Sequence, residues 1–488
     1  MNFKNKLLLF VCFSSLLFSF FVCFDYPANK FLYIFFTLIS LFYLTFLLRK
    51  KSIFFDNFIG IFFWIGIWFN FSLKVKLKTL FPDGIGDFRY WFSDGVGMFD
   101  FSAVAYDKIV VISCISYVAI ILASLLREFF FSYTDNSNDE IEIEFYKKNR
   151  IKIILFFLVS LTVISYVNFD QKIFQRGMIV DGDVTLRLLF NFMFTIFFPS
   201  ILCVILNYEF KIGKSLKTSI FLSLFESIFN SISILSRNSI FNPTSNLFGI
   251  IKLNSFTRKY NKLIFASFFL LIIISFIFVV TTVSSLRIES NITNLNLKSN
   301  QEKPEVIRNN PSYTSTLSKI FISRLIGIEG IMAVSSSDKL GIELIRSALK
   351  EKYVQNKESF YDSFKNEIRK QQMCEKNKVS LEKCKVNSIS LMGIVAFLFY
   401  SGSYLFIFTM LIIICLICSG VEFIALRFTN NLIFTALISQ ILAYRLWHFG
   451  YLPMNSYKLI FSILVMIFII FIFRSLLRRI YKEKKISE

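Results

Sequence analysis

The chain carries a single histidine, His448, among its 488 residues. A metal centre built from several imidazoles is excluded, and a general base must be His448 or a carboxylate. The cysteines do not point to zinc either. Of the eight cysteines, Cys12, Cys23, Cys114, Cys203, Cys415 and Cys418 lie in or beside apolar runs, where a thiol packs as a small hydrophobe. Cys415 and Cys418 have no histidine near them to complete a tetrahedral site. The Gly- and Asp-bearing stretch at 81–97 lacks the spacing of an EF-hand. No small-residue cleavage site succeeds the first apolar run at 7–24, which ends in Asp25-Tyr26-Pro27-Ala28. That run therefore reads as an uncleaved span. There is no internal repeat and no basic–aromatic nucleic-acid module. The formal charge of +21 thus points to membrane topology, not to nucleic acid as a partner.

What the chain has is apolar length. Hydrophobic residues make up 55% of it, with 64 phenylalanines. A bilayer core takes about 20 apolar residues per spanning helix, and a soluble fold could not cover so many runs. The fold class expected is an all-α polytopic membrane protein of about 12 transmembrane helices, with one large external loop before the last three spans. Residues 1–284 would hold spans one to nine with short loops and 285–390 the large loop. Spans ten to twelve would occupy 391–474, leaving a basic tail at 475–488. The apolar segment at 389–403 is interrupted by Gly393 and by Ser401-Gly402-Ser403. It is either a re-entrant piece followed by a span, or the start of one long tilted helix.

An even number of crossings puts both termini on one side. The short connectors on that side carry the excess of Lys and Arg, so the termini are expected in the cytoplasm. The connectors at 72–107, 168–187 and 448–456 and the large loop are then external. Cys374 and Cys384 lie in that loop. Outside the cytoplasm they could close a disulfide; otherwise they are two unpaired surface thiols.

Charged side chains within spans are functional candidates by default. In span seven Glu226, Asn230, Ser233 and Arg237 share one helical face. The stripe is either an internal network, with Glu226 held by neighbouring Ser and Asn, or a functional track whose outer end, Arg237, meets an anion. Span eleven ends in Tyr444, Arg445, Trp447 and His448, with Tyr444 and His448 one turn apart. Trp447 and Tyr451 are expected in an interfacial aromatic belt. The large loop centres on Ser323-Arg324-Leu325-Ile326-Gly327-Ile328-Glu329-Gly330. The external face thus gathers Arg176, Arg237, Arg287, Arg324, Arg445 and His448. Arginine's planar fork donates two hydrogen bonds to phosphate oxygens. Several such forks could hold a pyrophosphate and stabilise its charge as a leaving group without a metal.

The segments Phe174-Gln175-Arg176-Gly177, Leu235-Ser236-Arg237 and Arg324-Leu325-Ile326-Gly327-Ile328-Glu329-Gly330 resemble those of Wzy-type O-antigen, or oligosaccharide repeat unit, polymerases. So do Tyr400-Ser401-Gly402-Ser403 and the stretch from Tyr444-Arg445 to Gly450-Tyr451-Leu452-Pro453. The likeness is architectural over most of the chain. It departs at Asn238, where the family's Ser-Arg-Gly pattern has glycine.

The resemblance implies a multi-pass glycosyltransferase of the bacterial inner membrane. Such an enzyme moves a growing glycan from undecaprenyl pyrophosphate onto a sugar hydroxyl of another lipid-linked repeat. It implies no cofactor and no metal, with a chain-length regulator and a flippase as partners in the pathway beside membrane lipid. Arg237, Arg324 and Arg445 would bind pyrophosphate, helped by Arg176 and Arg287. His448 or Glu329 would deprotonate the acceptor. An O-antigen ligase shares architecture and donor and stays open. A lipid-linked oligosaccharide flippase also has about a dozen spans, though transporters usually show repeat symmetry.

Overall fold

The computed structural model describes residues 3–49, 51–81, 99–131, 140–176, 183–213, 216–254, 262–298, 327–337, 339–350, 392–450 and 453–487. The regular elements among them are all helices. In chain order these are α1 (Phe3–Asp25), α2 (Lys30–Leu47), α3 (Phe54–Leu80), α4 (Ala103–Phe130), α5 (Glu140–Gln171), α6 (Val184–Lys211), α7 (Leu216–Ser233), α8 (Asn242–Asn254) and α9 (Lys262–Lys298). They continue with α10 (Ile328–Ser335), α11 (Ile342–Lys350), α12 (Ile394–Leu398), α13 (Tyr404–Thr429), α14 (Leu432–Trp447) and α15 (Pro453–Ser487).

Among the described residues, 9 helices are long and apolar enough to cross a membrane: α1 to α6, α9, α13 and α15. The chain is an α-helical, membrane-spanning type, with fewer such helices than the twelve spans expected. Three of those spans fall short for identifiable reasons. α7 has 18 residues, but Glu226, Asn230 and a row of serines dilute its apolar character. α8 is only 13 residues long and carries Pro243 in its first turn. α14 has 16 residues.

The chain divides into two compact units. The first comprises 1–132, 308–420 and 441–458, the second 133–307, 421–440 and 459–488.

In the first unit α2 and α4 pack through aromatic rings. Tyr43 lies 4.4 Å from Tyr117, and Tyr26, between α1 and α2, is stacked 5.0 Å from Tyr33. Their hydroxyls are satisfied, as buried tyrosines require: Tyr33 Oη bonds Ser72 Oγ at 2.8 Å and Tyr43 Oη donates to the Ile59 carbonyl at 2.9 Å. α3 changes to a π-helical turn at Trp64–Phe69. Such a turn re-aims the side chains beyond it and often marks a functional position. At the end of α4, Arg127 meets Asp56 at 2.8 Å with both side chains buried.

The centre of the expected loop is a core element of this unit. α10 buries Ile328, Ile331, Met332, Ala333 and Val334, so Ile328–Ser335 is the packed face of the loop. The segment at 389–403 is not continuous with α13. α12 and a 3-10 turn at Phe399–Ser401 end at Gly402, whose φ of 68° is left-handed. α13 then starts afresh, which rules out the single tilted helix. Trp447, expected at a lipid-facing belt, is instead buried and stacked on Phe62 at 5.0 Å.

The second unit is arranged around α7, which contacts α5, α6, α8 and α9. Ser219, Ser223, Ser227 and Ser231 recur every fourth residue and are all buried. Small side chains in such a row let neighbouring backbones close in. Gly249 of α8 does the same against α14: a Cβ there would stand 2.7 Å from the Ile433 Cα. α9 runs unbroken to Lys298, past the expected loop boundary at 285. The expected tail is likewise helical. Arg474, just before it, and Arg478, within it, pair with the buried Glu142, the latter at 2.7 Å.

Candidate functional site

α7 ends in a turn whose shape comes from two hydrogen bonds. Ser236 N donates to the Ser231 carbonyl at 2.9 Å and Leu235 N to the Ile232 carbonyl at 3.2 Å. This is the Schellman pattern, which needs a left-handed residue at its fifth position. Glycine usually takes that place; here it is Leu235, with φ of 49°. A left-handed leucine costs about 1–2 kcal/mol. It is kept because the side chain packs with Ile240, Val279 and Val283.

The strained turn is where three of the expected arginines meet. Arg287 of α9 donates Nε to the Leu235 carbonyl at 2.9 Å, and its Nη2 reaches the same oxygen. Arg237 leaves the turn and donates Nη2 to Ser284 Oγ at 2.8 Å, also on α9. The backbone N of Arg176 donates to the Ile234 carbonyl at 2.9 Å. Asn168, fully buried at the end of α5, fastens the Arg176 segment to α7. It donates to the Phe174 carbonyl and to Ser233 Oγ, and accepts from Phe174 N. Asn238 begins a right-handed 3-10 turn at Asn238–Phe241. The left-handed position of this segment is Leu235.

Below the turn, Glu226 is fully buried. Asn230 Nδ2 donates to Glu226 Oε1 at 2.9 Å and to the Phe194 carbonyl at 2.6 Å; Asn242 Nδ2 lies 3.5 Å from both carboxyl oxygens. Phe194 belongs to the π-helical turn Met193–Phe197 of α6. The polar stripe of α7 is thus an internal network made by asparagines, with Ser233 as its upper end.

In the first unit the loop core is held by glycines at close backbone approaches. A Cβ on Gly330 would fall 2.1 Å from the Met392 carbonyl oxygen, and one on Gly327 would fall 3.0 Å from that of Gly66 in the π turn. Gly327 adopts φ of 137°, open only to glycine in practice. Gly393 N donates to the Phe449 carbonyl at 2.9 Å. A Cβ on Gly393 would stand 3.3 Å from the Trp447 carbonyl oxygen and 3.7 Å from the Gly327 Cα. The starts of α10 and α12 and the end of α14 are therefore one knot. It draws the backbone that carries Glu329 together with the backbone that carries His448.

Glu329 forms an ion pair with Lys74 of α3, and Asn70 Nδ2 reaches its two carboxyl oxygens at 3.4 and 3.3 Å. Lys74 is buried. The His448 ring stacks on Tyr444 at 4.1 Å and meets Trp447 edge-on at 4.2 Å. Arg445 donates Nε to Ser456 Oγ at 3.0 Å, and its guanidinium lies 5.4 Å from the centroid of the Phe449 ring.

The expected site residues are thus distributed over two places. Arg176, Arg237 and Arg287 come together in the second unit, and Glu329, Arg445 and His448 lie in the first. Arg324, Cys374, Cys384 and Tyr451 lie outside the described residues. Lys74 and Asn70 were not singled out from the sequence. A signal was present, since Lys74, Lys76 and Lys78 crowd the end of a span expected to be external, where lysine is disfavoured. Lys76 pairs with Asp25 and Lys78 lies over the Phe101 ring. No group of three or more His, Cys, Asp or Glu side chains able to hold a metal occurs among the described residues.

Comparison with protein families, curated proteins and solved structures returns no match.

Proposed function

We propose that this chain is a polymerase of lipid-linked oligosaccharide repeat units. It would transfer a glycan from a polyprenyl pyrophosphate donor to a sugar hydroxyl of a second lipid-linked repeat. The observation that carries the reading is the assembly of Arg176, Arg237 and Arg287 around the left-handed Leu235 turn. Three segments distant in sequence meet at one helix end: Arg237 and Arg287 bring their guanidinium groups to it, and Arg176 is fastened there by its backbone. That arrangement suits an anion carried on a membrane lipid.

The chemistry asks for little else. Glycosyl transfer breaks the bond between the anomeric carbon and the pyrophosphate oxygen, and charge grows on that oxygen as it leaves. Guanidinium donors fixed in advance stabilise such charge best. A base then takes the proton of the attacking hydroxyl. His448 fits that role, its ring aligned by Tyr444 and Trp447. Glu329, bound by Lys74 and Asn70, is the carboxylate that would take that proton in place of His448. Arg445, in the first unit, and Arg324 are the other pyrophosphate-binding candidates. The expected setting is the bacterial inner membrane, with both termini cytoplasmic and the large loop periplasmic.

The experiment is a glycan ladder from a strain lacking the gene, beside its complemented parent. Collapse to core plus one repeat supports the polymerase. Long polymer retained on the carrier, with none on the final acceptor, assigns a ligase instead. An unchanged ladder rejects both and favours a flippase or another transporter.

A further inference from the structure

One groove of the first unit takes no part in the candidate site. It has a volume of about 340 Å³ and is lined by Leu32, Phe35 and Ile39 of α2, by Val111, Cys114, Ile115 and Val118 of α4, and by Phe408 of α13. Every lining side chain is apolar apart from one thiol. The volume lies within the usual range for small-molecule sites. Leu32, Phe35 and Ile39 share one face of α2, and Val111, Ile115 and Val118 one face of α4.

The α4 stripe continues upward into a cation. Lys108 precedes Val111 by three residues and Ile115 by seven, so it stands on the same face one turn above the groove. Its ammonium donates to the Ser335 carbonyl at 2.5 Å and lies 5.6 Å from the centroid of the Phe399 ring. Phe399 in turn packs 5.7 Å from Tyr404, which sits one turn before Phe408 on α13. Both walls therefore rise from hydrocarbon-like lining to one mouth. No carboxylate pairs with Lys108 among the described residues. The adjacent Asp107 instead accepts from Tyr26 Oη at 3.3 Å and Asn29 N at 3.2 Å. This mouth lies where α2, α4 and α13 begin.

We propose that the groove with Lys108 is a binding site for a phosphate-headed polyprenyl lipid. The isoprenoid chain would lie along α2, α4 and α13, and the phosphate at the Lys108 ammonium. Apolar burial would supply most of the affinity. Lysine would act as a point charge for phosphate. The choice of a polyprenyl chain over an acyl chain rests on the polymerase reading; the groove and its cation do not.

The test is photolabelling of the full-length protein in nanodiscs of phosphatidylethanolamine and phosphatidylglycerol. The probe is farnesyl phosphate with a diazirine on its terminal isoprene, compared with the matching farnesol. Expected is labelling of the lining residues of α2, α4 and α13. Lys108→Gln should lower labelling by the phosphate about tenfold, the loss of one charge-assisted contact, and leave labelling by farnesol unchanged. Ile115→Trp should block both probes; if that variant does not fold, the comparison of the two probes on Lys108→Gln decides alone. Labelling elsewhere, no effect of Lys108→Gln, or equal displacement by added phosphatidylglycerol would each overturn the site. Labelling does not depend on turnover. Correct labelling in a protein that makes no polymer keeps the site and removes the polymerase reading, and the reverse removes only the site.

Discussion

Arg287 and Leu235 are joined by a forked hydrogen bond, Nε and Nη2 of the arginine both ending on the leucine carbonyl. The leucine is the strained, left-handed member of its turn. A guanidinium thus clamps the one backbone position of the turn that would otherwise favour another conformation, and Arg237 emerges two residues later. The clamp and the anion-binding candidate are one construction.

Arg287→Lys should therefore do more than move a charge. Lysine keeps the cation but cannot fork onto one carbonyl. The expected loss is about 1–3 kcal/mol of stability, read as a lower melting temperature of the purified protein. Leu235→Gly removes backbone strain of about 1–2 kcal/mol but also a buried side chain, commonly worth about 2–5 kcal/mol. It should come out destabilised overall. A stabilised Leu235→Gly would mean the leucine's packing is unimportant.

Gly330→Ala should undock α10. The added methyl would meet the Met392 backbone, not the end of a mobile side chain, so no rotamer change relieves it. Amide hydrogen exchange across Ile328–Ser335 should rise sharply in the variant while α2 and α4 stay protected. Unchanged exchange would show that the two backbones separate at little cost.

Much of the fold was legible in the sequence, and the parts that were not have physical reasons. The long apolar runs announced α1 to α6, α9, α13 and α15, because length and composition alone decide them. The shared face of Glu226, Asn230, Ser233 and Arg237 came from helical period, and the structure places Asn230 on Glu226 as that period requires. What period could not show is pairing between distant segments. Ile328–Ser335 reads as part of a polar insertion, since its neighbours are polar, and its burial depends on α3, α4 and α12. Lys74 and Glu329 lie far apart in sequence, on α3 and α10, with nothing local to join them. Leu235 gives no sign of a left-handed backbone, as the usual sign is glycine.

Lys74 and Glu329 invite a double-mutant cycle. Removing one partner of a buried ion pair generally costs about 3–5 kcal/mol, whereas removing both with apolar replacements costs far less. Lys74→Met and Glu329→Leu should each lower the melting temperature clearly, and the double variant should recover part of the loss. Additive losses would show that the two side chains do not act as a pair.

Glu226→Gln tests the network beneath the arginines. Among the described residues no cationic side chain contacts Glu226; its partners are the amides of Asn230 and Asn242. Glutamine keeps an oxygen for those donors without a buried charge, so stability should be unchanged or higher by about 1–3 kcal/mol. Polymer length on a gel should be unaffected. Loss of polymer with an intact fold would move Glu226 from the packing network into the reaction.

Reconstitution of the reaction bears on the polymerase assignment without the rest of the pathway. Purified protein in nanodiscs would be given a polyprenyl-pyrophosphate-linked repeat unit, and the products would be read by mass spectrometry. Expected are dimers and longer glycans on the lipid, with polyprenyl pyrophosphate released once per bond formed. Both should be lost in Arg237→Ala and in Arg445→Ala at unchanged melting temperature. Elongation by both variants at the parent's rate, or no elongation by a folded parent protein, would contradict the polymerase assignment.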